Sequence, residues 1–211
     1  MKNNENKTIK LEDLEVETIY KDEHGQFFKF FYDDSTDSPR NDTNVATILT
    51  WERDYDSPDE NNNTFEEFAE KHGVDVSQKW NLDSVMDAMR EEGYYVVPVY
   101  ALHHSVSHYS THDFHDPWDS GVAGIAFCKK QKGLPDGDDY LRRIIEDEIK
   151  VYDAWVNGEV YGIDLLGQDG AVLDTSAGYI MPYVKDMLSS VGVDIQDEYQ
   201  LATREVSVSL K

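Results

Sequence analysis

The stretch "GVAGIAFCKK" (121–130), followed after a Gly/Pro-containing loop by "DDYLRRIIEDEIKVYDAWVNG" (138–158), decides the fold class. The first is an apolar run of strand length. The second has helical period: Leu141, Ile144, Ile145, Ile149, Tyr152 and Trp155 trace one stripe, and Asn157-Gly158 ends it. Asp138 is placed to cap its start. Working outward, "YYVVPVYAL" (94–102) reads as a buried strand in which Pro98 implies an edge or a bulge. "EVYGIDLLGQDGAVLD" (159–174) reads as a hairpin around Gln168-Asp169-Gly170.

Earlier in the chain, "GQFFKFFYDD" (25–34) and "NVATILTWERDY" (44–55) read as strands with polar loops after each. Two short helices follow. "TFEEFAEKHG" opens on a Thr64/Glu67 capping box, and "NLDSVMDAMREEG" puts Leu82, Val85, Met86 and Met89 on one face. "MPYVKDMLSSVG" predicts a further short helix with Pro182 in its first turn, and "LATREVSVSL" a closing strand, at an edge. Strands and helices alternate without a strict βαβ rhythm. The expectation is an α+β fold: a single domain, a mixed or antiparallel sheet with helices packed on one face. Residues 1–22 form a polar, partly mobile N-terminal segment, and 23–211 the single α+β domain.

Charge bounds the function. Forty-three Asp and Glu face 19 Lys and Arg, for a formal net charge of −24. Direct nucleic-acid binding is not expected, because phosphates demand a basic footprint, nor is binding to anionic membranes. The charge fits a solvated acidic shell, or carboxylates standing in for phosphates on a basic protein partner such as a host nuclease or defence complex. Adaptation to high salt fits less well, because 13 Lys stand against 6 Arg. The acidic stretches "YDDSTDSPRND" and "ERDYDSPDE" and the polar face of the 139–156 helix are the candidate partner surface. They comprise Asp33, Asp34, Asp37, Asp42, Glu52, Asp54, Asp56, Asp59, Glu60, Asp139, Glu146 and Asp153. No apolar run reaches a membrane span, the N-terminus has no signal-peptide core, and the single Cys128 suits a reducing compartment. A cytoplasmic protein is expected.

"HHSVSHYSTHDFHDPWDSG" (103–121) carries five of the seven histidines. His104, His108 and His112 recur every fourth residue, but Ser, Thr and Tyr make the stretch a strand or loop. Consecutive members then lie about 13 Å apart, too far to share one ion unless the chain turns. No H-E-x-x-H or paired-Cys motif supports a metal. Metal binding is left open and no cofactor is expected. No G-x-S-x-G elbow or phosphate loop is present, and Cys128 reads as core. The structural reading of "PWDSG" places Trp118 as a core anchor, Asp119 and Ser120 bonded back to the backbone, and Gly121 in a conformation other residues avoid. The alternative reading makes His104, Ser105, Asp119 and Ser120 a small enzyme or ligand site.

"PVYALHHS…FHDPWDSGVAGIAF" resembles a family encoded by bacteriophages, plasmids and bacterial genomes and lacking an assigned activity. Its pattern is Asp-His-Ser-Gly, then Phe-x-x-x-Trp-Asp-Ser-Gly-x-x-Gly. His104 and Ser105 match the first half, and Phe114, Trp118, Asp119, Ser120, Gly121 and Gly124 the second. "EIKVYDAWVNGEVYGIDL", "VLDTSAGYI" and the Ser-Pro-Arg of "DSPRNDTN" extend the likeness to about residues 33–180. His103 and Val106 depart from it. The resemblance implies a mobile-element setting. There, an acidic protein would inhibit a restriction- or CRISPR-type enzyme by occupying its basic groove, as a DNA mimic.

Overall fold

The computed structural model describes residues 7–53, 56–59, 69–71, 73, 82–130, 137–181 and 183–202. The chain groups into two compact units, one drawn from before Ser38 and after Asn157, the other being Ser38–Asn157. The strands are antiparallel and fall into two sheets, with α-helices packed on them, so the α+β class is observed.

In the first unit β1 (Thr8–Lys10), β2 (Ile19–Lys21), β3 (Phe27–Tyr32), β8 (Val160–Leu166), β9 (Val172–Ile180) and β10 (Glu198–Leu201) form one sheet. Their order is β1-β10-β2-β3-β8-β9. The period of two in "FFKFFY" sends Phe28 and Phe30 to one face. There they meet Tyr20, Ile163 and Tyr199, under Met187 and Leu188 of helix α3 (Val184–Ser190). Phe27 packs on the opposite side with Leu166 and Ala202. The N-terminal segment is thus in part a sheet component: β1 and β2 lie within 7–22, and Tyr20 is fully buried. Strand β10 sits between β1 and β2, while the expected closing strand "LATREVSVSL" lies, after Ala202, outside the described residues, as does Pro182.

In the second unit β4 (Thr47–Thr50), β5 (Tyr94–His103), β6 (Ser107–Ser110) and β7 (Ser120–Lys129) are ordered β4-β7-β5-β6. Helix α2 (Asp138–Val156) covers one face, packing Leu141, Ile145, Ile149 and Tyr152 on Ile48, Val99, Ala126 and Cys128. Helix α1 (Leu82–Glu91) covers the other, with Val85, Met86 and Met89 against Leu49, Val96 and Ile125. Helices therefore lie on both faces of this sheet, where one was expected. That is why β5 and β7 read as unbroken apolar runs instead of alternating. Burial also raises the Cys128 thiol pKa, which keeps it an inert core group. Pro98 is tolerated because β6 pairs only Tyr100–His103, leaving the stretch of β5 around Pro98 with β7 alone as neighbour. A bulge follows between Val99 and Tyr100. Gly137, not Asp138, is the N-cap of α2, with no side-chain cap; Asp138 and Asp139 lie in the first turn, where the helix dipole favours them. The Thr64/Glu67 capping box lies outside the described residues.

Candidate functional site

The histidine stretch is a strand and two turns at one end of the four-stranded sheet. The β5–β6 hairpin pairs His103 with Ser107 and turns through 104–106. The Asp-Pro-Trp-Asp-Ser turn closes beside it, because the His103 N–H donates to the Asp119 carbonyl at 2.8 Å. Asp116 organises that turn. Its Oδ1 accepts from the backbone N–H groups of Trp118 and Asp119, both at 2.9 Å. Ser120 Oγ donates to the Asp116 carbonyl at 2.7 Å and accepts the Asp116 N–H at 3.2 Å. The N–H of Asp119, then that of Trp118, then His104, hold the Asp116 carboxyl below the usual carboxylate range.

Two parts of the structural reading of this turn are corrected. Trp118 is not a core anchor: it is 90% exposed, in a turn set by the bonds that its own N–H and that of Asp119 make to Asp116. Gly121 has an ordinary strand conformation in β7, so it is not there for backbone freedom. Ser120 does bond back to the backbone, while the carboxylate that does so is that of Asp116, not Asp119. The missed signal was the Asp-x-Trp-Asp spacing, in which an aspartate accepts from the N–H groups two and three residues on.

His104 and Asp119 do approach, with Nε2 and Oδ2 3.9 Å apart, both solvent-accessible. Ser105 is exposed in the hairpin turn and Ser120 is committed to Asp116. His108 and His112 do not join His104. His108 Nδ1 lies 3.4 Å from Asp153 and the His112 ring bonds Thr111 Oγ1. Among the described residues no group of three or more His, Cys, Asp or Glu is arranged to hold a metal ion. Beneath the hairpin His103 bridges two groups. Its Nε2 bonds Glu52 Oε1, and its Nδ1 lies 2.9 Å from Ser107 Oγ. Tyr109 donates to the other Glu52 oxygen at 3.3 Å.

The candidate acidic residues that are described divide into two groups. Asp34, Asp37, Asp42, Asp56 and Asp139 are exposed to solvent. Asp33, Glu52, Asp59, Glu146 and Asp153 hold the fold. Asp33 accepts from Ser35, Thr36 and the Gly178 N–H, and these bonds, Ser35 first, keep its carboxyl pKa low. Glu52 serves His103 and Tyr109, Asp153 accepts the Tyr109 N–H at 2.7 Å, and Glu146 pairs with Arg142 one helical turn away. Asp59 and Glu148 flank Arg40, whose side chain is 3% exposed. Asp54 and Glu60 lie outside the described residues. Comparison with family models, curated proteins and solved structures returned no match.

The Asp116 turn yields a prediction. Because its carboxyl pKa is depressed in the folded state, the stability its bonds give is fully present above the ordinary carboxylate pKa of about 4 and is lost as pH falls from there through the lowered folded-state value. Asp116→Ala is expected to speed amide exchange at Trp118 and Asp119 near neutral pH while leaving β5 and β7 protected. Equal protection in both proteins would show that the turn is held by other contacts.

Proposed function

We propose that this chain works by binding, as an acidic inhibitor that occupies the basic groove of a nucleic-acid-processing defence enzyme of restriction or CRISPR type. The observation that supports this most is the net charge of −24 together with carboxylates at Asp34, Asp37, Asp42, Asp56 and Asp139 that face solvent. Such groups can meet a basic surface, Asp139 while also lying 3.7 Å from Arg142, whereas Asp33, Glu52, Asp59, Glu146 and Asp153 serve the fold and should be removed from the candidate interface. The mobile-element setting implied by the sequence resemblance supports the same class of target.

The test is inhibition of a panel of restriction and CRISPR nucleases on plasmid DNA. A sensitive enzyme should be released by added competitor DNA and by salt, since exposed charges are screened beyond about 8 Å at physiological ionic strength. Changing the five exposed aspartates to Asn should weaken inhibition about tenfold or more, at a few tenths of a kcal/mol each. Unchanged inhibition by that variant would remove the acidic surface from the mechanism.

One observation favours a second reading. The 3.9 Å approach of His104 and Asp119 leaves an imidazole and a carboxylate together in solvent, a pair able to bind a small polar ligand. His104→Ala and Asp119→Ala should then abolish ligand binding without unfolding the protein.

A further inference from the structure

Among the described residues Trp118 is the most exposed large apolar side chain, at 90%, with Leu173 next at 65%. An indole carries about 150–250 Å² of largely apolar surface. It does not hang from a frayed end. Asp116 holds the N–H groups of Trp118 and Asp119, Ser120 closes the turn on Asp116, and the Asp119 carbonyl is tied to β5 through His103. The ring is thus carried on a backbone fixed before any partner arrives, which lowers the ordering cost of binding.

The surroundings select the partner. Asp119 follows Trp118 in the turn with its side chain 41% exposed, and Asp113, three residues before the turn and beside His115 at 3.5 Å, is 45% exposed. Between Arg90 and Lys129 the chain contains no lysine or arginine, so β5, β6 and this turn bring no cation of their own except histidine. An aromatic face attracts a cation, and flanking carboxylates accept its N–H groups; a planar guanidinium satisfies both at once where an ammonium does so less well. An anionic membrane would be repelled by the carboxylates, and a second copy would bring another charge of −24.

We propose that the Asp116-capped turn presents Trp118 as the anchor of a docking site for an arginine-bearing segment of a basic protein. The indole stacks on the guanidinium, and Asp119, the next residue of the turn, accepts its N–H groups. This rests on the acidic-inhibitor reading and names the point at which the partner is gripped.

The test follows the indole N–H signals of the full chain by ¹H–¹⁵N NMR while an oligo-arginine peptide, or an oligo-lysine peptide of equal length, is added. Trp118→Phe identifies the Trp118 signal. The Trp118 signal should move and saturate, with the arginine peptide bound about fivefold more tightly than the lysine peptide. Trp118→Ala should erase that preference, and Trp118→Phe should keep part of it. Peptide binding that moves other signals and leaves Trp118 still would overturn the anchor and spare the acidic reading. No binding of either peptide at low salt would overturn both. A Trp118 shift with lipid vesicles but not with peptide would assign the turn to a membrane and overturn the proposal.

Discussion

Arg40→Ala is expected to destabilise the Ser38–Asn157 unit by about 3–5 kcal/mol, the cost of leaving buried charges without their partner. Every donor of this guanidinium is used. Nε and Nη2 form a two-pronged pair with Asp59 at 2.9 and 2.8 Å, Nη1 reaches Glu148 at 2.9 Å and Asn44 at 3.0 Å, and Nη2 also meets the Ala46 carbonyl at 2.7 Å. Burial alone would lower the pKa of Arg40, but Asp59 and Glu148 reverse this and raise it. The two carboxylates also accept backbone N–H groups, Asp59 from Ile48 and Glu148 from Val45 and Ala46. The arginine therefore stitches the start of β4 to helix α2. Its removal leaves two carboxylates facing each other in a site that is mostly closed to water. Arg40→Lys should rescue little, because one ammonium cannot supply five donors in a fixed plane. Since whole domains are stable by only about 5–15 kcal/mol, urea denaturation should find Arg40→Ala marginal or unfolded. A loss below about 1 kcal/mol would mean that water reaches and solvates the pair.

The fold was legible where local pattern and burial agree. The stripe from Leu141 to Trp155 specified α2, and the apolar runs of β5 and β7 specified buried strands. The division into two sheets was not legible. "FFKFFY" and "YYVVPVYAL" both say strand, and neither says which strand lies beside it. The short strands β1 and β10 carry polar sequences, TIK and EYQL, so their pairing is set by what they pack against and not by propensity. The site was legible in its location but not in its roles. Sequence marked the Trp-Asp-Ser-Gly turn, yet could not tell that Asp116 would turn Trp118 outward. Among 43 acids it could not separate Asp59, bound to Arg40, from Asp56, which faces solvent, because that distinction is made by long-range contacts alone.

The two glycines of the Gly-x-x-Gly run should behave oppositely. A Cβ on Gly124 would lie 1.9 Å from the Leu49 carbonyl oxygen and 2.7 Å from the Thr50 Cα. Both are backbone atoms of β4, paired directly against Gly124, so neither can swing aside as a side-chain tip would. Nor can β7 retreat, since Gly124 also pairs with Val99 of β5 at the bulge. Gly124→Ala must push β4 from the sheet. This goes beyond ordinary overpacking at about 1–3 kcal/mol, and a loss of about 3 kcal/mol or more is expected. The displaced strand leads straight to Trp51, bonded to Ala123, and to Glu52, which holds His103 under the hairpin, so the damage should reach the imidazole as well. Gly121→Ala meets nothing within 4 Å and needs no unusual backbone, so it should fall within about 0.5 kcal/mol of the parent. Thermal unfolding of the two variants separates the explanations. A large loss at 124 alone assigns that glycine to the close approach of β4 and β7. Equal losses at both positions would mean that the run is needed for some property of the β7 backbone instead.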